Sequence, residues 1–404
     1  MSNTREQSHS APRIVLYSHD TLGYGHLRRN LLLAGALRQG MPAPRILMVA
    51  GMREAGAFAF PEGVDCLTLP AYEKDGAGNY SPRHLGGDLD SLVAMRAATI
   101  AAAVTVFDPD LMIVDNVPRG ALNELNPLLE ALHRRQRTRL VLGLRDVIDR
   151  PAVVRKQWRE RRNFEAVRRY YDDVWIYGDP NFYDLLADCG LSEPMGAKGR
   201  YMGYLNQQSR LESALARRER DTLIGRDTRP YVLCMAGGGR DGVALCRAFV
   251  ATPMPPGQRG IVITGSQMPR ALRDELRQRA QARSDLLLVD FAREPIALMA
   301  GAERIVAMGG YNTICEVLSL GRPALISPRV TPRAEQLLRA EQLVERGLVS
   351  MLHPDNLRPA TLSAWLTADA PAPGPAQLDM AGLERVRQRA AEMLAESRTL
   401  PAAS

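Results

Sequence analysis

Short apolar runs alternate with longer amphipathic stretches along most of the chain, the pattern of βα units that build a parallel sheet. In the first half the runs Ile14–Ser18, Arg45–Ala50, Val64–Leu69, Leu111–Asn116, Leu140–Leu144 and Val174–Tyr177 are predicted strands. Helical spacing falls between them, as in Leu27–Arg38 and Arg119–Arg135. A second series begins at Tyr231–Met235 and continues with Ile261–Thr264, Leu286–Val289, Ile305–Met308 and Ala324–Ser327. Between the two series, Asn206–Arg229 is polar and charged without strand character, and reads as a linker with a helix in it. After a Pro/Ala-rich break at Ala370–Pro375, Gln377–Ser397 is helix-like and long enough to pack back across that linker. The pattern predicts an α/β protein of two Rossmann-like domains, residues 1–205 and 230–370, joined by 206–229 and followed by a tail at 371–404.

Composition narrows the class without choosing a function. With 404 residues, 46% hydrophobic and 24% charged, the chain can bury two separate cores. Met1–Ser10 is polar and has no apolar segment of the kind that signals export. The nearest approach to a membrane span, Leu92–Phe107, is interrupted by Arg96 and reads as a buried helix. Five scattered cysteines, without paired or metal-binding spacing, suggest neither a disulfide framework nor a zinc site, and point to a reducing cytoplasm. The net charge of +7 admits anionic partners. Much of the excess lies between Arg134 and Arg169, including Arg155, Lys156, Arg159, Arg161 and Arg162. That run is either a solvated helix face or a patch for an anionic membrane surface at the inner face. Nucleic acid is disfavoured, because aromatics make up only 5% and none interleave with the basic residues.

In open α/β sheets ligands bind beyond the carboxyl ends of strands, so chemistry is sought there. Gly237, Gly238 and Gly239 follow one strand directly and precede a helix, where backbone N–H groups can approach a phosphate. A tight turn explains the same residues, and the spacing is neither a dinucleotide fingerprint nor a Walker loop. Further on, Gly309-Gly310-Tyr311-Asn312-Thr313 opens a helix carrying Glu316, followed by Gly321-Arg322-Pro323 and then Glu335-Gln336. Thr313-x-x-Glu316 is also the pattern of a capping box. No Asp-x-Asp pair stands ready to hold a divalent metal, and no metal or other cofactor is expected beyond a nucleotide-sugar co-substrate.

The string from Gly309 to Gln342 resembles the donor-binding region of GT-B glycosyltransferases. The plant and macrolide branches carry Gly-Gly-x-Asn-[Ser/Thr]-x-x-Glu, then Gly-x-Pro and an acidic-Gln pair. The branch that builds the peptidoglycan lipid precursor carries a related version. The resemblance implies that Thr313 touches a diphosphate, Glu316 the ribose, and Glu335 with Gln336 the donor sugar. Met308 stands where the plant-type pattern has a phosphate-binding histidine, which favours the peptidoglycan branch.

At the other end, Ser18-His19-Asp20-Thr21-Leu22-Gly23-Tyr24-Gly25-His26-Leu27-Arg28-Arg29 follows the first strand. Gly23 and Gly25 make a flexible turn, and His26 starts a helix with an imidazole suited to taking a proton at neutral pH. His19 and His26 can equally be capping or packing residues. The string resembles the corresponding loop of the peptidoglycan enzyme and, more closely, that of a group of bacterial predicted glycosyltransferases. This resemblance implies His26 as general base, with an orienting carboxylate supplied by Asp115 or Asp146 at neighbouring strand ends. Arg145 is a candidate for a phosphate or acidic acceptor, or else for a local pair with Asp149. The expected activity is transfer of a sugar, such as an N-acetylhexosamine, from a UDP-sugar to a hydroxyl acceptor, inverting and without metal. The acceptor would be a small molecule, a glycan or a lipid-linked molecule. A nucleotide-sugar hydrolase or epimerase of the same fold, and a silent nucleotide-sugar binder, are the alternatives.

Overall fold

The computed structural model describes residues 11–20, 23–75, 79–369 and 378–398. Met1–Ser10 and the Ala370–Pro375 break lie outside the described residues. The first sheet has seven strands, β1 (Arg13–Ser18), β2 (Arg45–Ala50), β3 (Val64–Thr68), β6 (Leu111–Asp115), β7 (Arg139–Arg145), β8 (Asp173–Tyr177) and β9 (Gly199–Tyr201). Two short strands, β4 (Tyr72–Lys74) and β5 (Tyr80–Pro82), form a separate antiparallel hairpin. The second sheet has six, β10 (Tyr231–Met235), β11 (Arg259–Ile263), β12 (Leu286–Val289), β13 (Arg304–Ala307), β14 (Ala324–Ile326) and β15 (Ser350–Met351). Both sheets are parallel, ordered β3-β2-β1-β6-β7-β8-β9 and β12-β11-β10-β13-β14-β15. Their central strands are buried on both faces, which is why they read as continuous apolar runs instead of alternating ones.

Strand order reverses between β1 and β6 in the first sheet, where Tyr17 pairs with Val114. In the second it reverses between β10 and β13, where Met235 pairs with Ala307. At such points the connecting helices leave to opposite faces and a crevice opens beyond the strand ends. His26 and Asp115 follow or end β1 and β6, while both glycine turns follow β10 and β13. Each half therefore offers its crevice to the other.

The linker carries a 3-10 turn, Gln208–Glu212, and a helix, Ala214–Ile224. The last helix, Gly382–Arg398, returns to the first half instead of lying only on the linker. Its start is fastened there: Gly382 N donates to Tyr204 O at 3.0 Å, and Arg385 Nη1 donates to Met202 O at 2.9 Å. Arg389 Nε donates to Asp173 at 2.7 Å.

The helix Leu89–Phe107 is not the buried helix that its sequence suggests. It is long and apolar enough to cross a membrane by length and composition, yet only Leu92, Arg96, Ile100 and Val104 are buried. These residues, four apart, form one stripe. Arg96 sits in that stripe because Glu124 neutralises it, at 2.6 Å, with both side chains fully buried. The basic run around Arg155–Arg162 is largely exposed and in part self-paired, Lys156 with Glu160 and Arg162 with Glu165. All five cysteines are free thiols.

Candidate active site in the cleft

The loop after β1 is built around Asp20, which the sequence reading leaves without a role. Its carboxylate accepts from Ser18 Oγ (2.5 Å), Leu27 N (3.1 Å) and Gly51 N (3.2 Å). One of those donors is a first-turn amide of the helix Gly25–Leu37, which has no side-chain cap from its own N-cap residue. Asp20 thus fixes where that helix begins, and with it the position of His26.

His26 Nδ1 and Asp115 Oδ2 are in short hydrogen-bond contact. Arg29, one helical turn after His26, donates to both oxygens of Asp115 at 2.6–3.0 Å. Burial alone would raise the Asp115 carboxyl, but Arg29 and then His26 hold it well below the usual carboxylate range. An ionised Asp115 can only accept, so His26 Nδ1 donates to it and Nε2 is directed away from the carboxylate. The His26 side chain is 17% exposed against 3% for Asp115, so the imidazole is reachable while the carboxylate is not. The His19 ring lies 4.8 Å from that of His26. Burial, with His26 next, pushes the His19 pKa well down, so it is neutral at pH 7. Arg29 has no assignment from the sequence, and its grip on Asp115 was signalled only by its i,i+3 spacing to His26.

The two glycine turns of the second half meet this loop. Gly23 N donates to Gln267 Oε1 at 3.1 Å, and Asn312 Nδ2 donates to Gly25 O at 2.7 Å. Tyr24 and Ser266 hydroxyls are 2.7 Å apart. A Cβ placed on Gly238 would stand 3.4 Å from Gly23 Cα, so the two backbones are within one side-chain atom of each other. Gly239, with φ +99°, leaves no alternative, since a Cβ there would lie 2.4 Å from Thr264 O. The helix Tyr311–Leu320 begins at Gly310 with no side-chain cap, so Thr313 is inside the first turn and the capping-box reading fails. Its first backbone bond within the helix runs from Ile314 N to Gly310 O. The amides of Tyr311, Asn312 and Thr313 remain as donors at a positive helix end.

Other candidates stand elsewhere. Asp146 does not orient His26: it takes Arg339 through both oxygens (2.6–3.1 Å) and Tyr204 Oη at 2.8 Å, with Asp146 and Arg339 fully buried. Arg339 also donates to Gly309 O at 3.1 Å, so this pair ties the second glycine turn to the first half. Glu316 is buried under the linker, accepting from Arg210 Nη1 at 2.7 Å with Arg28 at 4.0 Å. Arg210 also pairs with Glu294, and Arg28 Nη2 donates to Ala292 O and Arg293 O, both at 3.1 Å. A ribose at Glu316 would share the carboxylate with Arg210. Arg329 pairs with Glu335, and its amide donates to Gln336 Oε1 at 3.1 Å. Arg145 makes no pair with Asp149, which instead accepts from the amides of Arg150 and Ala334. A cavity of about 570 Å³ is lined by Arg28 and Arg210 together with linker and last-helix residues such as Ser213 and Leu383.

No family model matches the chain. One curated relative, the UDP-N-acetylglucosamine–N-acetylmuramyl-(pentapeptide) pyrophosphoryl-undecaprenol N-acetylglucosamine transferase of Acidothermus cellulolyticus, is 28% identical over 151 residues. That match takes in 37% of this chain and 41% of the relative, so the chain spans about two fifths of that relative's length. Among solved structures, the UDP-GlcNAc 2-epimerase of Neisseria meningitidis, bound to UDP-GlcNAc, is similar with a TM-score of 0.61 and 14% identity. The similarity covers 96% of this chain and 100% of that one. MurG of Acinetobacter baumannii is similar with a TM-score of 0.53 and 15% identity, over 96% and 100%. Two parallel-sheet halves set crevice to crevice, in a chain similar end to end to these structures, make this a protein of the GT-B fold, related in sequence to the peptidoglycan N-acetylglucosaminyltransferases.

Proposed function

We propose that the chain is a glycosyltransferase that moves a sugar from a UDP-sugar to a hydroxyl acceptor. The reading rests on one observation above all: His26, aimed by Asp115, faces two glycine turns across a gap that the halves close together. Nε2 of His26 takes the proton of the acceptor hydroxyl as that oxygen attacks the sugar's anomeric carbon. The bond to the diphosphate breaks on the opposite face, which gives inversion. Amides of the turn at Gly237–Gly239 and of the uncapped helix start at Tyr311–Thr313 receive the charge that develops on the leaving diphosphate, in place of a metal. Thr313 adds a hydroxyl, and the resemblance in sequence gives Glu335 and Gln336 the donor sugar. An N-acetylhexosamine donor follows from the relatives' names. The undecaprenol in those names suggests a lipid-linked acceptor, and with it we infer a place at the cytoplasmic face of a membrane. Hydrolysis is the second reading, because an imidazole aimed in this way activates water as well as a sugar hydroxyl.

Incubation of the purified protein with UDP-N-acetylglucosamine, followed by mass spectrometry of the products, separates the readings. Transfer predicts UDP release that rises with an added acceptor pool, with the sugar recovered on that acceptor. Hydrolysis predicts free sugar and UDP at the same rate without it. No turnover of any UDP-sugar in either arm would refute both.

A further inference from the structure

Tyr311 and Asn312, the first two residues of the helix Tyr311–Leu320, both reach across to the turn that carries His26. Asn312 Nδ2 donates at 2.7 Å to the carbonyl of Gly25, the residue before His26. Arg29 follows His26 by one turn, and its Cζ stands 5.7 Å over the centroid of the Tyr311 ring. The segment Gly25–Arg29 is thus held at both ends by consecutive residues of the other half. The chemistry proposed above uses the backbone amide of Tyr311 and leaves its side chain without a role.

That ring occupies a dry place. Tyr311 is buried and stacks on buried Tyr204 of the first half, with centroids 6.2 Å apart and planes 21° apart. Cζ of Arg339 lies at the same 5.7 Å from it. The ring therefore stands between two arginine–aspartate pairs, Arg29 with Asp115 and Arg339 with Asp146. Burial, with Cys315 next, pushes the Tyr311 hydroxyl pKa well up, so the side chain is neutral and meets the cations as an aromatic ring. Arg29 is buried as well, and a buried guanidinium needs neighbours that stand in for its lost water. Asp115 meets it along the Nε and Nη2 edge, and the Tyr311 ring offers the negative charge of its face to the same cation.

We propose that Tyr311 is a positioning residue for the base: its ring holds Arg29, Arg29 holds Asp115, and Asp115 aims His26. The last three belong to the first half and the ring to the second, so the imidazole is fully aimed only while the halves are closed. An opened cleft gives Arg29 back to water, where an ion pair keeps its geometry weakly. A base armed only by closure does not activate water while the cleft stands open. The inference rests on the reading of His26 as the base and adds the residue that arms it from across the cleft.

Its test follows UDP release from UDP-N-acetylglucosamine by the full chain and its variants, beside UDP affinity by calorimetry. Tyr311→Leu is expected to lower kcat about tenfold or more with UDP affinity unchanged within about twofold, and Tyr311→Phe, which keeps the ring, to restore most of the loss. Phenylalanines carrying one, two and three fluorines at this position keep the shape and strip charge from the ring face. With them kcat should fall stepwise while the melting temperature stays level, a series that decides the matter alone if Tyr311→Leu does not fold. The second readout is the His26 Nδ1–H proton signal, identified by its loss in His26→Ala. It should stay sharp in the natural chain and in Tyr311→Phe, and broaden by exchange in Tyr311→Leu. A kcat for Tyr311→Leu within twofold of the natural chain, a level fluorine series, or a His26 signal indifferent to the ring would overturn the proposal. If His26→Ala turns over as fast as the natural chain, the reading of the base falls instead, and the His26 signal still tests the grip of the ring.

Discussion

Asp115 and Asp146 look like twins. They stand at the carboxyl ends of adjacent strands, both are buried, and each is gripped by an arginine through two oxygens. What separates them is where the arginine comes from. Arg29 belongs to the same helix as His26, so the Asp115 pair stays within one half and leaves an oxygen for the imidazole. Arg339 belongs to the other half, and the remaining capacity of Asp146 goes to Tyr204. One carboxylate aims an imidazole; the other fastens two sheets. Neither residue type nor strand position assigns the role, because the role depends on which element delivers the cation.

The sharpest break in this comparison is at the base. His26→Ala should lower turnover by about 10²–10⁴-fold while leaving UDP affinity within about twofold, measured by steady-state kinetics beside calorimetry. Next comes the fastener. Asp146→Ala strands a buried Arg339 and should cost roughly 3–5 kcal/mol in urea unfolding. Asp115→Asn should invert that balance: a turnover loss of about tenfold to a hundredfold, with a stability loss of only about 1–3 kcal/mol. A variant of Asp115 that destabilises as much as Asp146→Ala without slowing turnover would erase the distinction.

The smallest effect concerns His19. Its folded pKa lies below the unfolded value of about 6.5, so the folded state resists a proton that the unfolded chain accepts. The stability due to a neutral His19 is complete above about pH 6.5 and is lost as pH falls below it, by at most about 1.4 kcal/mol per pH unit. Urea unfolding at about pH 7.5 and pH 5.5 should show a smaller acid loss in His19→Gln than in the natural chain.

Much of this was legible in the residues. The apolar runs named the central strands because those strands are buried on both faces, and the glycines after β10 and β13 named the turns, Gly239 because a Cβ there would strike Thr264 O. His26 was legible from its place after the first strand. Three features were not. The choice between Asp115 and Asp146 needs the partner arginines, one of them 193 residues away. The capture of Glu316 by Arg210 joins positions 106 apart, through a linker with no motif of its own. The stripe of Leu89–Phe107 looked uniformly apolar because small and apolar side chains also cover its exposed faces, while its only basic side chain, Arg96, is hidden against Glu124.

The central claim is that a nucleoside diphosphate sits where the first half's loop meets the glycine turns of the second. Calorimetric titration of UDP into the natural chain and into Gly238→Leu, whose side chain would enter the gap against Gly23, tests it directly. Saturable binding by the natural chain and none by a variant that melts normally is the predicted result. No binding by the natural chain, or equal binding by both, would contradict it.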